Sequence, residues 1–234
     1  MEKLNFNLKA AIFLALFAIV SLIGLNVNFS KLVGAENQFF TLFQFFGPIA
    51  GGFLGATIGA ASVLLAQLVN YLFIGKELNL LNLLRLTPML FGAYYFAKNK
   101  DRLLNDKLSI AIPIAAMAAF MLHPIGREVW YFSLYWAIPV IAKFLPDHLI
   151  LRSLGATMTT HAVGGAFWVW TVPMTTAQWQ ALIPVVAYER ALFALGIAAS
   201  YVVFNTVLNK IAEINPGIFG GMVNVEQKYV LAKF

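Results

Sequence analysis

Three histidines, His123, His148 and His161, are the side chains of this sequence suited to carrying a proton near neutral pH. His161 stands inside the apolar stretch "MTTHAVGGAFWVWT". Thr157, Thr159 and Thr160 precede it, and Gly164, Gly165, Trp168 and Trp170 follow. Polar groups within an apolar helix are costly and mark function. Two readings are open. In one, His161 hydrogen-bonds a neighbouring helix and the tryptophans form an interfacial belt. In the other, the small residues make room for a flat ligand, Trp168 stacks on it and His161 anchors it. Glu189 and Arg190 form a second polar site. Neighbours on a helix do not face each other, so each either pairs with a different helix, or Arg190 holds an anionic ligand. Arg127 and Glu128, in "HPIGREVWYF", flank a turn. They are interfacial residues or, with His123, Trp130 and Tyr131, the rim of an outward cavity.

Catalytic patterns are missing. The chain has no cysteine, which removes thiol catalysis and thiolate metal ligands. It has no H-E-x-x-H, no G-x-S-x-G and no P-loop. Its only aspartates are Asp101, Asp106 and Asp147, all in expected loops. No catalytic residue, metal or cofactor is therefore expected, and the chain does not read as an enzyme. A channel or proton-coupled carrier needs polar groups on several spans, and mid-helix charges are few here.

These residues must be positioned by helices in a bilayer. Of 234 residues, 61% are hydrophobic and 11% charged, against about 25% charged in soluble domains. Several runs reach the roughly 20 apolar residues a span requires, and none alternates as barrel strands do. The expectation is an all-α, polytopic integral membrane helical bundle of six to eight segments. They fall near 8–28, 38–47, 49–74, 80–98, 108–124, 127–145, 149–172 and 180–209. The first is read as a retained helix rather than a signal peptide. Residues 1–209 form the transmembrane domain and 210–234 a cytoplasmic tail. Lys3, Lys9, Lys98, Lys100, Arg102, Lys107 and Lys210 then share one side, so both termini are expected to be cytoplasmic in a cell membrane. The outer loops are 29–38, 75–79 and 173–179. The net charge of +6 fits topology and lipid contact rather than nucleic acid.

Pro48 is expected to open the third helix. Gly51, Gly55 and Gly59 recur every four residues, a smooth stripe that lets another helix approach. The other reading is a hinge, or a thin wall beside a cavity. In the first helix Ala11 and Ala15, extended by Ala18, make a similar small face, for packing or for docking another membrane protein.

Three consecutive helices resemble the substrate-binding S components of energy-coupling factor (ECF) vitamin transporters. The likeness rests on Ala11 and Ala15, on "GPIAGGFLGATIG", and on "RLTPMLFGAYY" with Arg85, Pro88 and Gly92. It covers about residues 8–107. The resemblance implies a binding subunit for a vitamin-like micronutrient, held under the outer loops, with no motor of its own. Its partners would be a transmembrane coupling protein, docked on the Ala11/Ala15 face, and two ATPase subunits. It would also place ligand contacts near Asn70, Tyr71 and Glu77, which otherwise read as loop or cap residues. The alternatives are a stand-alone small-molecule transporter and a structural or assembly subunit of a membrane complex.

Overall fold

A computed structural model of the protein describes residues 8–99, 106–214 and 224–231, without the side chains of 8–12 and 212. The expected basic loop at 98–107 and the tail lie largely outside the described residues. The chain is mostly helical. Its helices are α1 (Leu8–Asn26), α2 (Ile49–Leu54), α3 (Ala56–Phe73), α4 (Leu80–Leu84), α5 (Pro88–Lys98), α6 (Leu108–Leu122), α7 (Pro124–Glu128), α8 (Ile138–Ala142), α9 (Leu149–Thr171) and α10 (Thr176–Ile214). Two of them are long and apolar enough to cross a membrane, α3 and the Thr176–Ile211 part of α10. At 23 residues α9 has the length, but it carries Arg152, His161 and four threonines.

The helices pack around α9. On one side lie α5, α10, α2 and α1, with Phe13, Phe17, Phe53, Phe96 and Tyr201 in the core. On the other, Phe120, Phe132, Trp136, Val169 and Trp179 form a second cluster. The closest approach between α5 and α9 uses two glycines. A Cβ on Gly92 would collide with Thr160 Oγ1, and one on Gly155 with the Tyr95 ring. Gly92 is thus a contact point between helices.

The helix expected at 80–98 is broken at 85–87 into α4 and α5, and four further expectations need correction. The short helix expected at 38–47 does not form. Instead β1 (Asn28–Lys31) and β2 (Phe39–Thr41) pair antiparallel, Asn28 opposite Thr41 and Lys31 opposite Phe39, followed by a 3-10 turn at Leu42–Phe45. Positive φ at Gly34 (91°) and Asn37 (53°) turns the chain between the strands. Among the described residues the regular structure is therefore helical apart from one hairpin.

The third helix is not continuous. Gly55, at φ 79° and ψ 173°, breaks it into α2 and α3, a conformation open to glycine because it has no Cβ. Gly51, Gly55 and Gly59 therefore form no stripe on one helix. The chain folds at Gly55 so that Gly59 of α3 lies against the backbone of Gly51, while Gly51 also faces the Ala93 carbonyl of α5. Gly51 and Gly59 thus serve packing, while Gly55 marks a break between two helices.

Third, 127–145 is not a regular helix. It is the end of α7, a 3-10 helix at Trp130–Ala137 and α8. Phe132, Ser133 and Trp136 of the 3-10 helix and Pro139 and Ala142 of α8 are buried.

Fourth, α10 begins at Thr176, not 180, and extends to Ile214, not 209. Thr175 and Gln178 set its start by reciprocal capping. Thr175 Oγ1 accepts from the Gln178 N–H at 3.3 Å, and Gln178 Oε1 accepts from the Thr175 N–H at 2.8 Å. At 1.5 Å per residue, α10 is about 58 Å long. Residues 224–231 dock back on the bundle. The Asn224 N–H donates to Phe53 O at 3.0 Å, and the Glu226 N–H to Asn205 Oδ1 at 2.7 Å.

Candidate functional site

The segments expected as outer loops meet at one end of the bundle. Gly34 of the hairpin packs on Met174 and Val172. Lys76 Nζ donates to Gln38 Oε1 at 3.4 Å. Beneath them opens a cavity of about 520 Å³, within the range of small-molecule sites.

The hairpin forms the roof. Its β1 strand is tied to α10, where Ser30 Oγ donates to Glu189 Oε1 at 2.6 Å. Phe29 and Phe40 both pack on the Phe193 ring. Its turn is tied to α9, where Trp168 Nε1 donates to Val33 O at 3.1 Å. Its β2 strand is tied to the α4–α5 junction, where Arg85 Nη2 donates to Phe39 O at 3.3 Å. Arg85 sits there because α4 ends at Leu84 and Pro88 opens α5, leaving three residues between them.

On the α9 wall, His161, Gly164, Gly165 and Trp168 line the space. They share a face because residues three, four and seven apart on a helix do. His161 Nδ1 accepts from Trp136 Nε1 at 3.0 Å. An indole only donates, so neutral His161 carries its proton on Nε2. Gly165 admits Trp136, whose ring its Cβ would strike at 2.6 Å. The other two histidines serve as caps. His123 Nδ1 accepts from the Ile125 N–H at 3.2 Å and His148 Nδ1 from the Ile150 N–H at 3.3 Å.

On the α10 wall, Arg190 is 1% exposed. Its guanidinium lies 4.6 Å from both the Phe40 and Phe193 ring centres. Glu189 Oε2 is 3.4 Å from Arg190 Nη2, and Thr157 Oγ1 is 3.5 Å from Nη1. The adjacent Glu189 and Arg190 do meet, at a long distance, through their flexible ends.

On the α3 wall, Asn70 accepts from Asn26 Nδ2 at 2.7 Å and so joins α3 to α1. Tyr71 OH donates to Glu77 O at 2.7 Å and pins the following loop. Glu77 itself does not line the space.

Six of the eight expected ligand contacts therefore come together here: Asn70, Tyr71, His161, Trp168, Glu189 and Arg190. Arg127 and Tyr131 do not. Arg127 is exposed on α7. Tyr131 OH accepts from Gln180 Nε2 at 2.9 Å, and Glu128 accepts from Thr176 Oγ1, both away from the cavity. These contacts tie α7 and the 3-10 helix to the start of α10.

Sequence reasoning passed over Lys31, Lys76, Gln67, Asn82 and Trp179, which also line the space. Arg85 was noticed only as part of a helix motif. A signal existed for the cations, since Lys31 and Lys76 lie in the loops expected to cover the outer end. Among the described residues no three His, Asp or Glu side chains converge as metal ligands would.

Of the proposed docking face on α1, Ala15 is exposed and Ala18 half-buried, while the Ala11 side chain lies outside the described ones. Comparison with known proteins finds no family model, no curated protein and no solved structure that matches the chain.

Proposed function

We propose that the protein is a polytopic membrane protein that binds a small solute from the hairpin side, as the substrate-binding subunit of an ECF-type importer. It is not itself an enzyme or an ATPase. The observation that carries the reading is the cavity of about 520 Å³ under the hairpin. Aromatic and polar side chains both line it, and it lies beside two aromatic-rich cores.

The membrane placement is supported by the apolar outward residues of three helices. Ile19 and Ile23 of α1, Leu72 and Phe73 of α3, and Leu195 and Val203 of α10 are each more than half exposed. Soluble monomers rarely expose large contiguous apolar surfaces. The importer reading also draws on the small face of α1, where Ala15 remains uncovered. In this reading that face docks on the coupling protein, both termini are cytoplasmic, and the ligand is vitamin-like.

The test is extraction of the protein from its own membrane with its partners, followed by native mass spectrometry. Recovery with a coupling protein and two ATPases supports the reading. Solute uptake by vesicles containing this chain alone, without ATP, would sink it in favour of a stand-alone carrier.

A further inference from the structure

We propose that the solute is a small organic anion with a planar body, its acidic group drawn to the Arg85 and Arg190 side of the cavity and its body lying between aromatic walls. This rests on the reading of the cavity as a binding site and adds the class of ligand.

The first observation is charge. Lys31, Lys76, Arg85 and Arg190 line the space, against one carboxylate, Glu189. Glu189 is already engaged by Ser30 and is the long-range partner of Arg190. The lining cations are therefore under-compensated by the chain itself, and an anion supplies what is lacking.

The second is convergence. Arg85 donates to the carbonyl of Phe39, and Arg190 stacks on the ring of Phe40. The two guanidinium groups thus reach neighbouring residues of β2. Lys76 joins them from the loop after α3. Its ammonium is held below the ordinary lysine value by burial and then by the charge of Arg85.

The third is the donor balance. Among the described residues that line the cavity, Arg85 Nη1, Arg190 Nε and Trp179 Nε1 are buried without a hydrogen-bond partner, against one such acceptor, Asn82 Oδ1. Neutral His161 adds an Nε2–H donor. A wall rich in unspent donors recognises a ligand rich in acceptors, and guanidinium groups match carboxylates in geometry. Phe40, Phe132, Trp168 and Trp179 supply the aromatic surface on which a planar body stacks.

The experiment measures thermal shift and tryptophan fluorescence of the detergent-solubilised full chain with matched probes. Benzoate, nicotinate and indoleacetate are compared with benzamide, nicotinamide and indoleacetamide. Each pair keeps the body and removes the charge. The acids are expected to bind about tenfold or more tighter than their amides, the worth of one charge-assisted hydrogen bond. Arg85→Gln should abolish that preference, and Arg85→Lys should restore part of it. Amides binding as well as acids would overturn the anion and leave the binding cavity standing. No response to any of the six would overturn both.

Discussion

Arg152 and Arg190 are both 1% exposed, and both lie over aromatic rings. Arg152 has Phe96 at 4.7 Å and Tyr201 at 4.9 Å, and Arg190 has Phe40 and Phe193 at 4.6 Å. They differ in what closes the charge. Arg152 meets Glu226 Oε1 at 2.9 Å, and the same oxygen accepts from Tyr201 OH at 2.7 Å. The carboxylate comes from a segment 74 residues away in the chain. Arg190 has only the residue beside it in α10, held at 3.4 Å, and it borders empty space. A buried charge needs a partner to be tolerated. At one end of α9 the chain supplies a close counter-charge, although among the described residues Arg152 Nε and Nη2 have no hydrogen-bond partner. Toward the other end the counter-charge is more distant.

The largest effect should come from Glu226→Gln. With its carboxylate gone, Arg152 keeps its aromatic neighbours but loses its counter-charge. The cost is expected to be about 3–5 kcal/mol, read as a lowered thermal midpoint in detergent. If Glu189→Gln cost as much, the contrast between the two arginines would fail. It should cost less, about 1–2 kcal/mol, because Arg190 already lacks a close pair there. Trp136→Phe sharpens the cavity side. It removes the donor to His161 Nδ1 and should cost about 1 kcal/mol. The same change frees the imidazole to exchange tautomers, visible in its nitrogen chemical shifts.

The smallest effect belongs to Lys228. Its ammonium is 2.8 Å from Asp147 Oδ2 but 55% exposed, so Lys228→Ala should change stability by about 0–1 kcal/mol. The hydrogen bond to Asp147 raises its pKa above the ordinary 10.5, with burial opposing. A raised value means the contact is complete below that pH and is lost as the lysine deprotonates above it. Protease resistance of the C-terminal segment should fall only in strong alkali.

Much of this arrangement was legible because it is local. His161 and Trp168 share a face by helical spacing alone, and apolar runs located α1, α6 and α9 to within a few residues. What escaped depends on distant partners or on single dihedral angles. Gly55 has the same neighbours in spacing as Gly51 and Gly59, and only its positive φ makes it the break. The hairpin is short and of mixed composition, so it carries no period, and the Lys76–Gln38 contact that holds it spans 38 positions. Arg152 drew no attention in the sequence because its partner stands 74 residues away. Lys31 and Lys76 escaped for the same reason. They lie in segments expected as loops, where a lysine reads as topology until the fold shows what it overhangs.

The separation of Arg152 from Glu226 also has a consequence in time. At the usual 5–20 residues per second, a ribosome makes Glu226 about 4–15 s after Arg152. Throughout that interval α9 holds a cation that the nascent chain cannot neutralise. A polypeptide halted before 224–231 therefore holds Arg152 without the counter-charge of Glu226.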